Sequence, residues 1–288
     1  MRFASTGPAS SDTIWTWPGF LGRVEDLMTA GDQNPRVIQL ISDLGNGGAQ
    51  QLLSEMARLW ATSVFDYSLI YLRSEEADPR RFEKHGIFPR CVPIRSPFDV
   101  TGFCRLYREI NRLRPSVLHT HLTGADICGR AIGAWQGIPV VVTALHSLAG
   151  HYGVQNPRRY SLRPVLFRQV LPRRFEALVA CGKMVHESFR DLSREDLLLR
   201  QVANGLSFES VNPLSEVQRH EKRAGLQIAD SALVVLCVAR LARVKGVDML
   251  IEAAEKLASL APNACFLVAG DGPERGSLER AIVEAARA

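Results

Sequence analysis

Residues 36–60, RVIQLISDLGNGGAQQLLSEMARLW, contain the pattern that decides the fold. An apolar run over 36–42 is followed by a glycine-rich turn and then by apolar residues at helical spacing (Leu52, Leu53, Met56, Leu59 and Trp60). The run lacks polar alternation, which is typical of a strand buried on both faces of a parallel sheet. The stretch therefore predicts a strand, a tight turn and a helix, the repeating unit of α/β proteins.

Six more apolar runs of this kind follow along the chain. They are YSLIYL (67–72), SVLHTH (116–121), PVVVTA (139–144), ALVAC (177–181), ALVVLCVA (232–239) and CFLVAG (265–270). Helix-period segments separate them, so the sequence predicts an α/β fold with doubly wound parallel sheets.

A polar stretch divides these runs into five and two. It covers residues 203–230 and contains Asn204-Gly205, a turn signal that we interpret as a hinge. The predicted organisation is a poorly ordered N-terminal extension (1–35), a Rossmann-like domain (36–205), a linker (206–230) and a second Rossmann-like domain (231–288). Because two strand–helix units bury little surface, we expect the second domain to be incomplete.

The 288 residues have the composition of an ordinary globular protein, with a net charge of +5. Six arginines between residues 151 and 175 account for the excess: Arg158, Arg159, Arg163, Arg168, Arg173 and Arg174. The rest is nearly neutral, which argues against a nucleic-acid-binding protein. This basic segment fits either a helix on an anionic membrane surface or a solvated helix face paired with acids elsewhere.

The six cysteines are scattered singly, without a metal-binding spacing, so we expect reduced thiols and no metal site. No run approaches the roughly 18 residues of a membrane span, and the N-terminus lacks the apolar core of a signal peptide. The sequence therefore favours a cytoplasmic protein, at most in contact with the inner face of the membrane.

The glycine loop LGNGGAQQ (44–51) joins the first strand to the first helix. Gly47 and Gly48 allow a close backbone approach, and the helix N–H groups behind them suit an anion. A turn without a ligand is the alternative. A dinucleotide fingerprint needs glycine where Gln50 stands and an acid after the second strand, where none is found, so an NAD(P) oxidoreductase is disfavoured.

Two histidines end the strand at 116–121. His119 and His121 point to the same face, but the later residue is nearer the crevice at the carboxyl edge of the sheet, where ligands bind. We therefore take His121 as the candidate functional group and His119 as buried. A structural role for His121 is the alternative.

A second candidate site follows the strand at 232–239. Arg240 and Lys245 lie in a strand-to-helix loop, where a guanidinium and an ammonium group suit a diphosphate; a solvated basic loop is the alternative. AGDGPE (269–274) predicts a turn after the next strand. The chain contains no Asp-x-Asp, so we expect the diphosphate to be neutralised without a metal ion.

Taken together, LISDLGNGGAQ, the segment from PSVLHTHLTGADICGRAIG to VVVTALHS, VANG, VARLARVKGVDMLIEAAEKL and FLVAGDGPERGSLE resemble the retaining glycosyltransferases of family 4, which have the GT-B architecture. The resemblance runs in order from about residue 36 to the last residues. It implies metal-independent sugar transfer, with retention, from a UDP- or GDP-linked donor to a polysaccharide or lipid-linked acceptor. It also implies that no cofactor is needed.

The resemblance also implies residue roles. Gly47 and Gly48 would lie under the donor phosphate and the acceptor, His121 would contact the reacting sugars, and Arg240 and Lys245 would hold the diphosphate. Gln50 replaces the family's usual acid, and the E-x7-E element that holds the donor sugar is absent, so the chain looks truncated at its C-terminus. The alternative is a catalytically silent remnant that acts as a binding or partner subunit.

Overall fold

The computed structural model describes residues 34–75, 77–96, 98–149, 176–190, 197–205 and 213–285. The chain divides into two compact units, Met1–Ser207 and Phe208–Ala288. The predicted extension over 1–35 lies outside the described residues, apart from its last two positions. No described helix is long and apolar enough to cross a membrane.

The first unit is built on a seven-stranded sheet in the order β3-β2-β1-β4-β5-β6-β7, in which every neighbouring pair is parallel. The strands are β1 (Arg36–Asp43), β2 (Asp66–Arg73), β3 (Arg90–Cys91), β4 (Val117–His121), β5 (Val140–Leu145), β6 (Glu176–Ala180) and β7 (Leu197–Gln201). The predicted doubly wound parallel sheet is confirmed. The chain direction across the sheet reverses between β1 and β4, and this is where ligands bind in such sheets.

Five described helices belong to the first unit: α1 (Gly48–Ala57), α2 (Arg80–Glu83), α3 (Val100–Leu113), α4 (Thr123–Gln136) and α5 (Lys183–Phe189). Helix α3 begins where the Asp99 carboxylate accepts a hydrogen bond from the Gly102 amide at 2.8 Å. Helix α4 packs closely on the sheet, because a side chain at Gly129 would collide with Thr120 of β4.

The sheet is covered on both faces, which explains the unbroken apolar runs. On one face, Ile38 and Leu40 of β1 lie in a core with Leu106 of α3. On the other face, Ile41 of β1 packs with Leu53 of α1. Strand β1 therefore lies in the centre of the fold, and the loop that follows it is held by a rigid base.

The second unit contains the parallel strands β8 (Leu233–Val238) and β9 (Ala264–Ala269). Its helices are α6 (Glu216–Gly225), α7 (Val247–Leu257) and α8 (Arg275–Ala285). Helix α6 falls within residues 206–230, which we predicted to be a linker. It begins with a capping box between Ser215 and Gln218 and has no buried residue, so its polar sequence lacks the apolar stripe by which helices are usually recognised.

Candidate functional site

The glycine loop is anchored to the end of β1 by Asp43. Asp43 Oδ1 accepts hydrogen bonds from the Gly45 amide at 3.2 Å and from Gln50 Nε2 at 2.6 Å. Asp43 Oδ2 forms an ion pair with Arg73 of β2 at 2.7 Å. Gln50 is buried, and its side-chain amide satisfies the Asp43 carboxylate. An acid at position 50 would instead be repelled by that carboxylate.

Arg81 of α2 holds the loop from the other side. It donates to the Gly45 carbonyl at 3.2 Å and to Asn46 Oδ1 at 2.8 Å, and its side chain is only 14% exposed. Sequence reasoning missed this residue because it lies 35 positions along the chain from the loop. The position of Asp43 directly before the loop is a signal that could have identified the other anchor.

Gly47 and Gly48 begin helix α1. Gly47 is the N-cap and supplies no side-chain hydrogen bond, so the first amides of the helix are not capped by a side chain. A side chain at Gly47 would collide with Gln50, whereas the space around Gly48 is open. The arrangement leaves a helix N-terminus that can accept an anion at the carboxyl edge of the sheet.

Three strands bring a glutamine and two histidines together beside this edge. His121 of β4 lies with Nε2 at 2.8 Å from Gln39 Oε1 of β1 and with Nδ1 at 3.2 Å from Nε2 of His146, which follows β5. His121 is only 2% exposed, and both its ring nitrogens are engaged. His146 is half-buried, as is His119, whereas His121 is enclosed. Sequence reasoning did not select His146, although it too ends a strand.

Burial keeps these histidines neutral. It lowers the pKa of His121 well below the usual range, and the neighbouring rings of His119 and His146 add to this effect. Burial lowers the pKa of His119 to about 4 and also lowers the pKa of His146. The His119 and His121 ring centroids are 4.3 Å apart, as expected for residues on the same face of the strand. The cluster is therefore uncharged at neutral pH.

The turn after His121 is strained and supported from β1. Leu122 has a φ of +69°, a conformation that favours glycine and costs on the order of 1–3 kcal/mol. Ser42 Oγ donates to the Leu122 carbonyl at 3.3 Å and accepts from the Ala125 amide at 3.0 Å. Ser42 thus caps helix α4 from a neighbouring strand and fixes the turn beside the histidines.

Arg240 and Lys245 lie in the second unit, on the loop between β8 and α7. Both side chains are exposed, and neither has a hydrogen bond or ion pair with another described residue. The loop itself is held in place, because the Leu241 amide donates to the Asp271 carbonyl at 2.9 Å and the Leu241 carbonyl accepts from the Glu274 amide at 3.0 Å. Gly272 has no room for a side chain against Leu241. The loop therefore presents exposed cations, Arg240 and Lys245 together with Arg243, on a fixed backbone.

The remaining predicted sites are not built by the described residues. The six arginines, Arg158, Arg159, Arg163, Arg168, Arg173 and Arg174, lie outside them. Asn204 and Gly205 are exposed just before the division between the two units, and their role as a hinge stays a prediction. Within the described ranges, no group of three or more His, Cys, Asp or Glu side chains could hold a metal ion.

Comparison with known proteins identifies two family models in this chain. The model of Glycosyltransferase Family 4 matches residues 46–207, and that of Glycosyl transferases group 1 matches residues 218–286. The first range includes Gly47, Gly48 and all three clustered histidines, and the second includes Arg240 and Lys245.

Individual relatives share limited sequence identity with this chain. EpsF of Bacillus subtilis (strain 168) is 26% identical over 251 residues, covering 85% of this chain and 64% of its own length. The UDP-Gal:alpha-D-GlcNAc-diphosphoundecaprenol alpha-1,3-galactosyltransferase of Escherichia coli is 24% identical over 191 residues, 63% of this chain and 47% of its own length. This chain therefore spans less than two thirds of either relative.

Among solved structures, Anabaena HepE in complex with UDP and glucose superposes with a TM-score of 0.69 at 17% identity. The superposition covers 87% of this chain and 66% of HepE. At this identity the similarity establishes the fold alone.

Proposed function

Since the chain belongs to glycosyltransferase family 4, we propose that it transfers a sugar from a UDP- or GDP-linked donor to a polysaccharide or lipid-linked acceptor. The family match over residues 46–207 carries this proposal. The open glycine loop and the neutral histidine cluster support it because they provide an anion site and hydrogen-bonding groups at the same edge of the sheet. We place the reaction in the cytoplasm, at the inner face of the membrane.

We assign the donor diphosphate to Arg240 and Lys245. As the bond to the sugar breaks, positive charge develops on the sugar ring and negative charge on the leaving diphosphate. A guanidinium group and an ammonium group on a fixed loop stabilise that negative charge, so we propose that transfer needs no metal ion. We further propose that the anomeric configuration is retained, as the resemblance to the family implies.

In the first unit, we propose that Gly47 and Gly48 contact the donor phosphate and the acceptor. We propose that His121 acts in the site through His146, because its own ring is buried and both its nitrogens are engaged. His146, half-buried at the end of β5, is then the group that contacts a sugar.

Surface residues of α3 and α4 support a peripheral contact with an anionic membrane. Trp135 is 75% exposed, and its ring centroid lies 6.4 Å from that of Phe103 and 6.2 Å from that of Tyr107. Arg108 beside them is exposed, while Glu109, the single acid of α3, is buried. An exposed tryptophan ring, with exposed positive charge on the neighbouring helix, suits the interface of an anionic bilayer.

The diphosphate assignment is tested by calorimetric titration of UDP and GDP. Arg240→Ala and Lys245→Ala should each weaken binding by about 10- to 150-fold, because a charge-assisted contact contributes roughly 1.5–3 kcal/mol. Arg243→Ala is the matched control, since this arginine is exposed in the same loop. If the control loses as much affinity as the two variants, general loop charge explains binding and the assignment is wrong.

The transferase proposal itself is tested by a screen of UDP- and GDP-sugars for transfer and for donor hydrolysis. Turnover with one donor class is the expected result. Nucleotide binding without any turnover would refute the proposed activity and favour a binding subunit.

A further inference from the structure

The geometry points to a fixed protonation pattern in the histidine cluster: Gln39 and His121 hold His146 with its hydrogen on Nε2, so that Nδ1 presents a lone pair to the ligand. This inference rests on the proposed function for what the ligand is. Gln39 and His121 are positioning residues in it, and His146 makes the contact.

The hydrogen bond between Gln39 and His121 determines the direction of the one between His121 and His146. Gln39 Oε1 is an amide oxygen and can only accept, so His121 Nε2, 2.8 Å away, carries the hydrogen. A neutral imidazole has one N–H, so His121 Nδ1 is an acceptor. His146 Nε2, at 3.2 Å from it, must then donate. In a neutral His146 this leaves Nδ1 without a hydrogen.

The surroundings favour the neutral forms that this chain of bonds requires. His119 lies against the His121 ring, with centroids 4.3 Å apart, and His146 lies 5.5 Å away on its other side. A charge on any of the three rings would be repelled by a charge on its neighbour. Burial lowers all three pKa values.

The free nitrogen of His146 determines what the site can bind. His146 is half-buried, and its Nδ1 has no hydrogen-bond partner among the described residues. A neutral nitrogen lone pair accepts a hydrogen bond from a sugar hydroxyl, but it offers neither a hydrogen nor a positive charge to a carboxylate. The cluster therefore selects a neutral, hydroxylated sugar over a uronic acid at this position.

Two substitutions of Gln39 separate positioning from packing. Gln39→Met keeps the length of the side chain and removes the acceptor, so the tautomers of His121 and His146 should become mixed. Gln39→Glu retains an oxygen acceptor but puts a carboxylate against His121, so it should raise the pKa of that ring and favour the form with a hydrogen on both nitrogens. Gln50→Met is the matched control, because Gln50 is also buried but bonds to Asp43 and not to a histidine.

The test is nitrogen-15 NMR of the ligand-free, ring-labelled 288-residue protein at neutral pH. The His121 and His146 signals are assigned from His121→Gln and His146→Gln. We expect Nδ1 of wild-type His146 to resonate as an unprotonated nitrogen, with a change in Gln39→Met and in Gln39→Glu but not in Gln50→Met. A protonated Nδ1 in wild-type His146 overturns the inference. This measurement does not depend on the folding of any variant. An unchanged His146 spectrum in Gln39→Met overturns the role of Gln39.

Activity provides a separate readout. With a neutral donor sugar, Gln39→Met should lower kcat/KM by roughly tenfold, the effect of one hydrogen bond. Preference for a uronic acid donor in the wild-type protein would refute the predicted selectivity. Because the NMR measurement uses no donor or acceptor, failure of the transferase proposal would leave the protonation pattern standing, and the reverse also holds.

Discussion

Replacing Gln50 with glutamate tests the anchor of the glycine loop, because the new carboxylate would face Asp43. Gln50 Nε2 lies 2.6 Å from Asp43 Oδ1, and Gln50 is 7% exposed. Two unit charges at this separation repel by about 6 kcal/mol at an effective dielectric constant of about 20. Protonating a glutamate at pH 7 costs only about 4 kcal/mol, which is less than this repulsion. The introduced side chain would therefore take up a proton, and about 4 kcal/mol is the upper limit of the destabilisation. Since the Arg73 ion pair offsets part of the repulsion, we expect Gln50→Glu to lower the free energy of unfolding by about 2–4 kcal/mol.

The pH dependence distinguishes this cause from a simple packing defect. The folded protein would raise the pKa of the introduced carboxyl above its unfolded value, so the destabilisation is full at pH 7 and fades as the pH falls towards about 4. Gln50→Met, which loses the hydrogen bond without adding charge, should lower the free energy of unfolding by about 1 kcal/mol at pH 7 and at pH 5. Urea unfolding followed by tryptophan fluorescence and circular dichroism at pH 7 and pH 5 measures the difference. If the free energy of unfolding changed with pH by the same amount in Gln50→Glu and Gln50→Met, the close approach of residue 50 to Asp43 would be refuted.

Two further predictions concern the histidine cluster and the exposed aromatic surface. Because burial holds the pKa of His119 at about 4 and that of His121 below its usual range, unfolding takes up protons as the pH falls. The first unit should therefore lose stability as the pH falls from about 6.5 to 4. Urea unfolding of His119→Phe should show a smaller loss over this range. A pH profile identical to that of the wild type would contradict this. Trp135→Ser should weaken co-sedimentation with anionic vesicles by roughly tenfold, while Phe88→Ser, at a site that is 78% exposed elsewhere, should not. Equal losses in both variants, or binding that ignores anionic lipid, would rule out a specific contact.

The strand pattern could be read from the sequence because burial on both faces leaves long apolar runs. Strands β1, β2, β4, β5, β6, β8 and β9 all coincide with predicted runs. Strand β3 has two residues, too few to give a pattern, and β7 (Leu197–Gln201) ends in polar residues that merge with the following polar stretch. Helix α6 was missed because its stability signal is a cap and not an apolar stripe.

The candidate site was only partly visible in the sequence. Gly47, Gly48 and His121 were identified because each stands at a strand end or a strand-to-helix turn, which are local features. Arg81 and His146 were not, since their contacts join positions that are far apart along the chain.

By itself, the sequence determined the alternation of strands and helices, the glycine loop and the cationic loop after β8, because each depends on neighbouring residues. The tertiary structure alone decided which side chains meet at the sheet edge. The order β1-β4-β5 sets Gln39, His121 and His146 side by side, although they are up to 107 positions apart, and it buries the predicted His121 behind His146. Strand order is a property of the packed sheet, so no local pattern encodes which side chains lie in contact at its edge.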